Sequence, residues 1–241
     1  LTEYALGMIS VGCILAMFSK RENFKHFGEA LLGFGILFFG MYLMSDAMKP
    51  LRDYQPFRDL MIGLENPLFG ILIGALFTGL IQSSSAFTGI VITLAMNGLI
   101  TLEAGIPLIL GANVGTCITA GLASIGTIRD AKRVAIAHVL FNIGGVLIFI
   151  WFIPYLADFV RTLSSDTPRQ IANAHTIFNI TVGIVFLPFT TLLAKLVYKI
   201  LPDKEIEKGV IPTTWHLDNS QISHPAIAIG PVSYTSRTLL T

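Results

Sequence analysis

Apolar residues in this chain gather into long runs separated by short polar breaks. The first run predicts a helix over residues 2–18, closed by the basic stretch SKRENFKHF. A second is predicted from Gly28 to Met48, ended by Lys49 and Pro50. The mixed, charged stretch LRDYQPFRDLMIGLEN is assigned to the membrane interface. Further helices are predicted over Pro67–Ile81, Ala86–Ile100 and Ile106–Ile125. A long run from Val134 to Ile153 stops before Pro154, and another extends from Ile171 to Ile200. Apolar runs of about 18 or more residues read as membrane spans. The expected fold is therefore an all-α integral membrane protein that crosses the cell membrane several times.

The runs Pro67–Ile81 and Ala86–Ile100 are short for a crossing. At a rise of about 1.5 Å per residue, about 15 residues fall short of a hydrocarbon core about 30 Å thick. They flank the polar stretch Gln82–Ser85, QSSS, inside GLIQSSSAFTGIVITLA. The simplest arrangement is a re-entrant helical hairpin that turns near mid-depth at QSSS. Non-helical backbone survives there only where protein buries it or it lines a wet cavity.

Composition sharpens the class. Hydrophobic residues make up 53% of the 241 and charged residues only 13%, against about 25% charged in soluble domains. Mean hydropathy is +0.71. With a net charge of +1 and no basic tract, nucleic acid is excluded as a partner. Cys13 and Cys117 lie in apolar runs and offer no metal or disulfide spacing. The start at Leu1, which lacks a signal-peptide pattern, and the abrupt stop at Thr241 are expected to be fragment boundaries. The basic groups Lys20–Lys25, Arg129–Arg133 and Lys195–Lys208 are placed together in the cytoplasm by the positive-inside tendency. The hairpin then enters from outside. Lys49, Arg52 and Arg58 fall outside, against the rule, interspersed with Asp53, Asp59 and Glu65.

Two polar constellations carry the candidate chemistry. The first is Gln82, Ser83, Ser84 and Ser85, continuing to Thr88. A lone serine in a membrane helix bonds back to its own backbone or joins two helices. Four polar residues in a row would face every side of a helix, some of them lipid, so a polar pocket is the better reading. The second is GANVGTCITAG, Gly111–Gly121, with Asn113, Thr116 and Thr119 three apart on one face. Its Gly111 and Gly115 form a GxxxG that reads either as close helix packing or as unwound backbone at a site. Uncharged oxygens suit sodium, while hydroxyls, amides and a half-helix N-terminus suit an oxyanion. No arginine lies within these runs. The two ions would therefore balance each other's charge, which gives coupling a physical basis.

Other polar residues carry plainer expectations. AHVLFNIGGVLIF from Ala137 and AHTIFNITVGIVF from Ala174 echo one another, and His138 and His175 are expected to pair with Asn142 and Asn179 one turn on. Asp46 and Glu29 are placed at span ends, and Glu103 in a turn facing water.

With these motifs in hand, the chain resembles the type II sodium–phosphate cotransporter family and its bacterial relatives. The likeness rests on QSSSAFTG, LILGANVGTCITA, AHVLFNIGGVLIF and LGFGILFFGMYLMSDAMKPL. It implies two inverted repeats, each with a QSSS element, and sites formed between them. Only one QSSS is present here, so the chain looks like one inverted-repeat half with a re-entrant hairpin and a broken transmembrane helix. The resemblance implies phosphate binding at Ser83, Ser84, Ser85 and Thr88. It implies sodium, the coupling ion, at Gln82, Asn113, Thr116 and Thr119. The missing first repeat or a second copy of the chain, as a dimer, would complete the site. Residues 1–26 are read as a preceding helix and loop, and 27–200 as the repeat-two transport unit. Residues 201–241 are read as a polar cytoplasmic tail or the start of a soluble domain of the PhoU type.

The expected function is sodium-coupled transport of inorganic phosphate, not enzymatic chemistry. A non-transporting assembly or regulatory subunit is the alternative. An intramembrane serine hydrolase is more remote, since GxSG is lacking and three equivalent serines suit ligation better than one nucleophile.

Overall fold

A computed structural model describes residues 2–203. Of the last predicted segment, the polar tail 201–241, residues 204–241 lie outside the described residues. The described residues up to Leu201 form one compact unit, helical with short breaks. Its helices are α1 (Ala5–Phe18), α2 (Glu22–Met48), α3 (Gln55–Gly63), α4 (Pro67–Ile81), α5 (Ser84–Met96), α6 (Leu102–Ala123), α7 (Arg129–Phe149), α8 (Ile153–Leu163), α9 (Thr167–Phe186) and α10 (Thr190–Ile200). Four helical stretches among the described residues are long and apolar enough to cross a membrane: Glu22–Asp53, Leu102–Ala123, Arg129–Leu163 and Thr167–Ile200. A fifth exists if α3 and α4, bent by 108°, count as one broken span. The chain is a multi-pass membrane protein.

Three differences from the sequence pattern have clear causes. Helix α2 begins at Glu22 rather than Gly28, because the charged turn ENFKHF continues the helix with His26 3.2 Å from Glu29. Pro154 does not end the long run. It stands in the first turn of α8, where its missing N–H costs nothing. Helices α9 and α10 are two segments joined through Leu187–Phe189, with Pro188 at the junction.

Helix α6 is the centre of the core, with Ile106, Ile109 and Leu110 fully buried among side chains of α5, α8 and α9. Helix α4 runs parallel to it at backbone contact. A Cβ at Gly74 would overlap the carbonyl oxygen of Leu108, and one at Gly111 would overlap that of Ile71. Further along, Gly115 sits against Thr78 and Gly79. Small residues let the two main chains approach closely, which is how helices gain dispersion energy inside a membrane. Helices α1 and α2 pair in antiparallel fashion by the same device, with Gly12 against Gly28 and Leu32, and Gly35 against Ala5 and Ile9.

Polar contacts pin the ends. At the base of α4 and α5, Ser45 of α2 bonds Asn97 and Arg52 donates to the Asn97 carbonyl at 2.7 Å. At the other end, Arg133 donates to the Leu201 carbonyl at 3.0 Å and lies 4.2 Å from the centre of the Tyr198 ring. Asp46 pairs with Lys49 at 2.7 Å and Glu103 pairs with Arg161. Cys13 and Cys117 are free thiols.

Candidate functional site

Asn66 caps α4, accepting from the Leu68 and Phe69 amides at 3.1 and 3.2 Å, and Pro67 opens it. The helix ends at Ile81, and Gln82 turns left-handed at φ 57°, ψ 25°. It is the only non-glycine among the described residues with positive φ. For an L-residue that conformation costs about 1–2 kcal/mol, and strain of this kind gathers at functional sites. Ser83 is extended and caps α5, its hydroxyl accepting from the Ala86 amide at 3.2 Å. The chain then doubles back. The rings of Phe77 and Phe87, on opposite limbs, lie 6.4 Å apart. Glu65, just before α4, accepts from the Thr101 hydroxyl, just after α5, at 2.9 Å. The predicted re-entrant hairpin is thus present, with its turn at Gln82–Ser83.

The first turn of α5 leaves its leading amides without helical acceptors, as every helix N-terminus does. Ser84, Ser85 and Thr88 lie at spacings of three and four on one face of this turn. The side chain of Ser84 is half-buried and that of Ser85 exposed, and neither hydroxyl has a hydrogen-bond partner among the described residues. The Thr88 hydroxyl oxygen is buried and unpartnered, as is that of Thr78 on α4. An unsatisfied buried hydroxyl costs about 1–3 kcal/mol, so each points to something that would bond it. Thr78 lies one turn before Gln82, against Gly115 of α6. Sequence reasoning passed over it, since a lone threonine in an apolar helix carries no signal beyond that position.

The second constellation takes a different form. Helix α6 is continuous from Leu102 to Ala123 through the whole GANVGTCITAG stretch. The glycines serve close packing, and the unwound backbone considered for them is absent. Asn113 is buried and donates to the Ile109 carbonyl at 2.9 Å. The Thr116 hydroxyl donates to the Asn113 carbonyl at 2.6 Å and lies 3.4 Å from His138 Nε2. Thr119 is exposed and makes no side-chain hydrogen bond. The hairpin turn comes against α6 at Gly115 and Ile118, where Gly79 meets the Ile118 side chain. The last turn of α4 before Gln82 therefore packs on the part of α6 that carries Gly115 and Ile118. The histidine pairing also differs in detail. Asn142 and Asn179 donate to the backbone carbonyls of His138 and His175, at 3.0 and 2.8 Å, and not to their rings.

The sequence profile of a family described as Na+/Pi-cotransporter matches residues 1–46 and 55–192. Among similar curated proteins, the Bacillus subtilis protein named "Uncharacterized protein YqeW" is 33% identical over 165 residues, 68% of this chain and 54% of its own length. Sodium-dependent phosphate transport protein 2B of Homo sapiens is 35% identical over 139 residues, 53% of this chain and 20% of its own. YjbB of Escherichia coli, provisionally named an inorganic phosphate export protein, is 28% identical over 158 residues, 65% of this chain and 29% of its own. The chain thus spans about half the length of the first of these and less of the others. No solved structure matches the chain.

Proposed function

Because the chain belongs to the Na+/Pi-cotransporter family, we propose that its full-length protein carries inorganic phosphate across the membrane, coupled to sodium. The observation that carries this reading is the hairpin turn itself. A strained Gln82 and the capping Ser83 lead into the hydroxyls of Ser84, Ser85 and Thr88 and the open amides at the N-terminus of α5, the local chemistry of an oxyanion site. Phosphate is assigned to Ser83, Ser84, Ser85 and Thr88. Sodium is assigned to Gln82, Asn113, Thr116 and Thr119, of which Gln82 and Thr119 keep their side chains free and Asn113 keeps its carbonyl oxygen.

With only uncharged donors, the anion is weakly held until sodium stands beside it. At an effective dielectric near 20, two opposite unit charges 4 Å apart attract by about 4 kcal/mol, enough to make either ion's binding depend on the other. Residues 27–200 act as the transport unit, and the hairpin moves with substrate while a scaffold stays in place. The first repeat, or a second copy of the chain, supplies the facing half of the pocket.

Radiolabelled phosphate uptake into vesicles holding the full-length protein tests the coupling. Uptake is expected to need a sodium gradient, and uptake unchanged when potassium replaces sodium refutes it. Reversing the gradient separates import from the export named for YjbB. Ser84→Ala is expected to weaken phosphate binding, and wild-type affinity in that variant removes Ser84 from the site.

A further inference from the structure

Two cavities at the base of the hairpin meet at Met61 of α3. One, of about 570 Å³, lies between α3 and both limbs of the hairpin, and every side chain lining it is apolar, Phe57, Leu60, Ile73 and Val91 among them. The other, of about 430 Å³, lies on the charged face of α3 and is lined by Arg52, Asp53, Arg58, Glu65 and Thr101. Both fall within the ~300–1,000 Å³ of small-molecule sites. Helix α3 and the turn that follows it separate them because this stretch is two-faced. Arg58, Ile62 and Glu65 look one way, while Phe57, Leu60 and Leu64 look the other.

The polar cavity holds both signs of charge without internal neutralisation. Arg52 directs one N–H to the Asn97 carbonyl at 2.7 Å. The Arg58 side chain makes no hydrogen bond, and neither guanidinium has an ion-pair partner among the described residues. The 108° bend between α3 and α4 sets this cavity where the apolar run of α4 begins; with α4 entering the bilayer as one limb of the proposed hairpin, that start falls at the headgroups.

We propose that the two cavities are the two ends of one binding site for a zwitterionic membrane phosphoglyceride of the phosphatidylethanolamine type. An acyl chain fills the apolar cavity beneath α3. The headgroup phosphate engages Arg52 and Arg58, guanidinium being well matched to phosphate, and the primary ammonium engages Asp53 and Glu65. Lipid tails are as apolar as leucine, so any lipid can fill the first cavity, and the second selects which one stays.

A phosphatidylethanolamine with a photoactivatable diazirine in its acyl chain, used in phosphatidylcholine vesicles holding the full-length protein, tests the site. Labelled peptides are expected to come from α3 and from the facing residues of α4 and α5. Arg58→Ala should lower that labelling at least fivefold, with partial recovery in Arg58→Lys. Leu60→Trp, which fills the apolar cavity and leaves the charges alone, should lower it as well. A phosphatidylcholine probe should label at least fivefold less, and millimolar inorganic phosphate should not compete. The proposal is overturned by label spread evenly over the lipid-exposed helices, or by equal labelling in Arg58→Ala or Leu60→Trp folded as wild type. Equal labelling by the phosphatidylcholine probe, displacement by inorganic phosphate, or cross-linking of the cavity residues to another protein segment would also overturn it.

Discussion

The stretches Gln82–Ser85 and Gly111–Thr119 look alike as sequence, each a set of small and uncharged polar residues inside an apolar run, yet they fold in opposite ways. The first breaks its helix with a left-handed Gln82 and restarts it with a serine cap. The second stays helical from end to end, with Asn113 and Thr116 turned onto carbonyls of their own helix. Neighbours make the difference. Gly111 and Gly115 are clasped by the backbone of α4, and contact along a whole face favours a straight rod. Among the described residues the hairpin turn has no such partner on its far side, where Gln82 and Ser85 are exposed, so its polar groups are left to one another and to whatever enters. Glycine in a membrane helix therefore marks a packing seam as readily as a break. In this molecule the break is made by residues that are not glycine.

The sharpest way to break this contrast is Gly111→Leu. Its Cβ would overlap the Ile71 carbonyl, main chain against main chain, and a loss at or above ~3 kcal/mol is expected, read as a collapsed thermal unfolding midpoint in detergent. Gly121→Leu, in the same motif but with open space around its Cβ position, should leave the midpoint unchanged. Next in size, Ser83→Ala removes the α5 cap and should cost about 0.5–2 kcal/mol together with phosphate uptake. Thr101→Ala removes the matching cap of α6, where the hydroxyl accepts from the Ala104 amide at 3.3 Å, and should lower stability while sparing uptake. Gln82→Gly should hold or raise stability by no more than ~1 kcal/mol, since glycine adopts positive φ freely, while sodium dependence of uptake weakens. The smallest stability loss belongs to Thr116→Val. Losing one hydroxyl-to-carbonyl bond there should shift stability by about 1 kcal/mol or less.

Much of this was legible in the residues. Helix α4 was readable to the residue, because Asn66-Pro67 opens it and the polar Gln82 closes it, both local signals. The hairpin followed from two runs too short to cross. Helix α8 was hidden because a proline after an apolar run reads as a stop, whereas Pro154 begins a new amphipathic helix that buries Leu156, Ala157 and Val160. The choice between packing and unwinding for Gly111 and Gly115 was not legible. It depends on which helix lies opposite, and one strand of sequence does not say that the partner seam is Gly70, Gly74 and Gly79. The buried, unpartnered hydroxyls of Thr78 and Thr88 likewise emerge only in three dimensions.

The seam between α4 and α6 also limits how the hairpin can travel. Two main chains interlocked at Gly74 and Gly111 cannot slide past each other, because each step would drive a carbonyl into its neighbour. The descending arm is thereby fastened to the middle of the molecule, and a cycle that exposes the turn first to one side and then to the other has two courses. Either α6 rides along as part of the moving body, or α5 alone swings like a door leaf whose post is fixed.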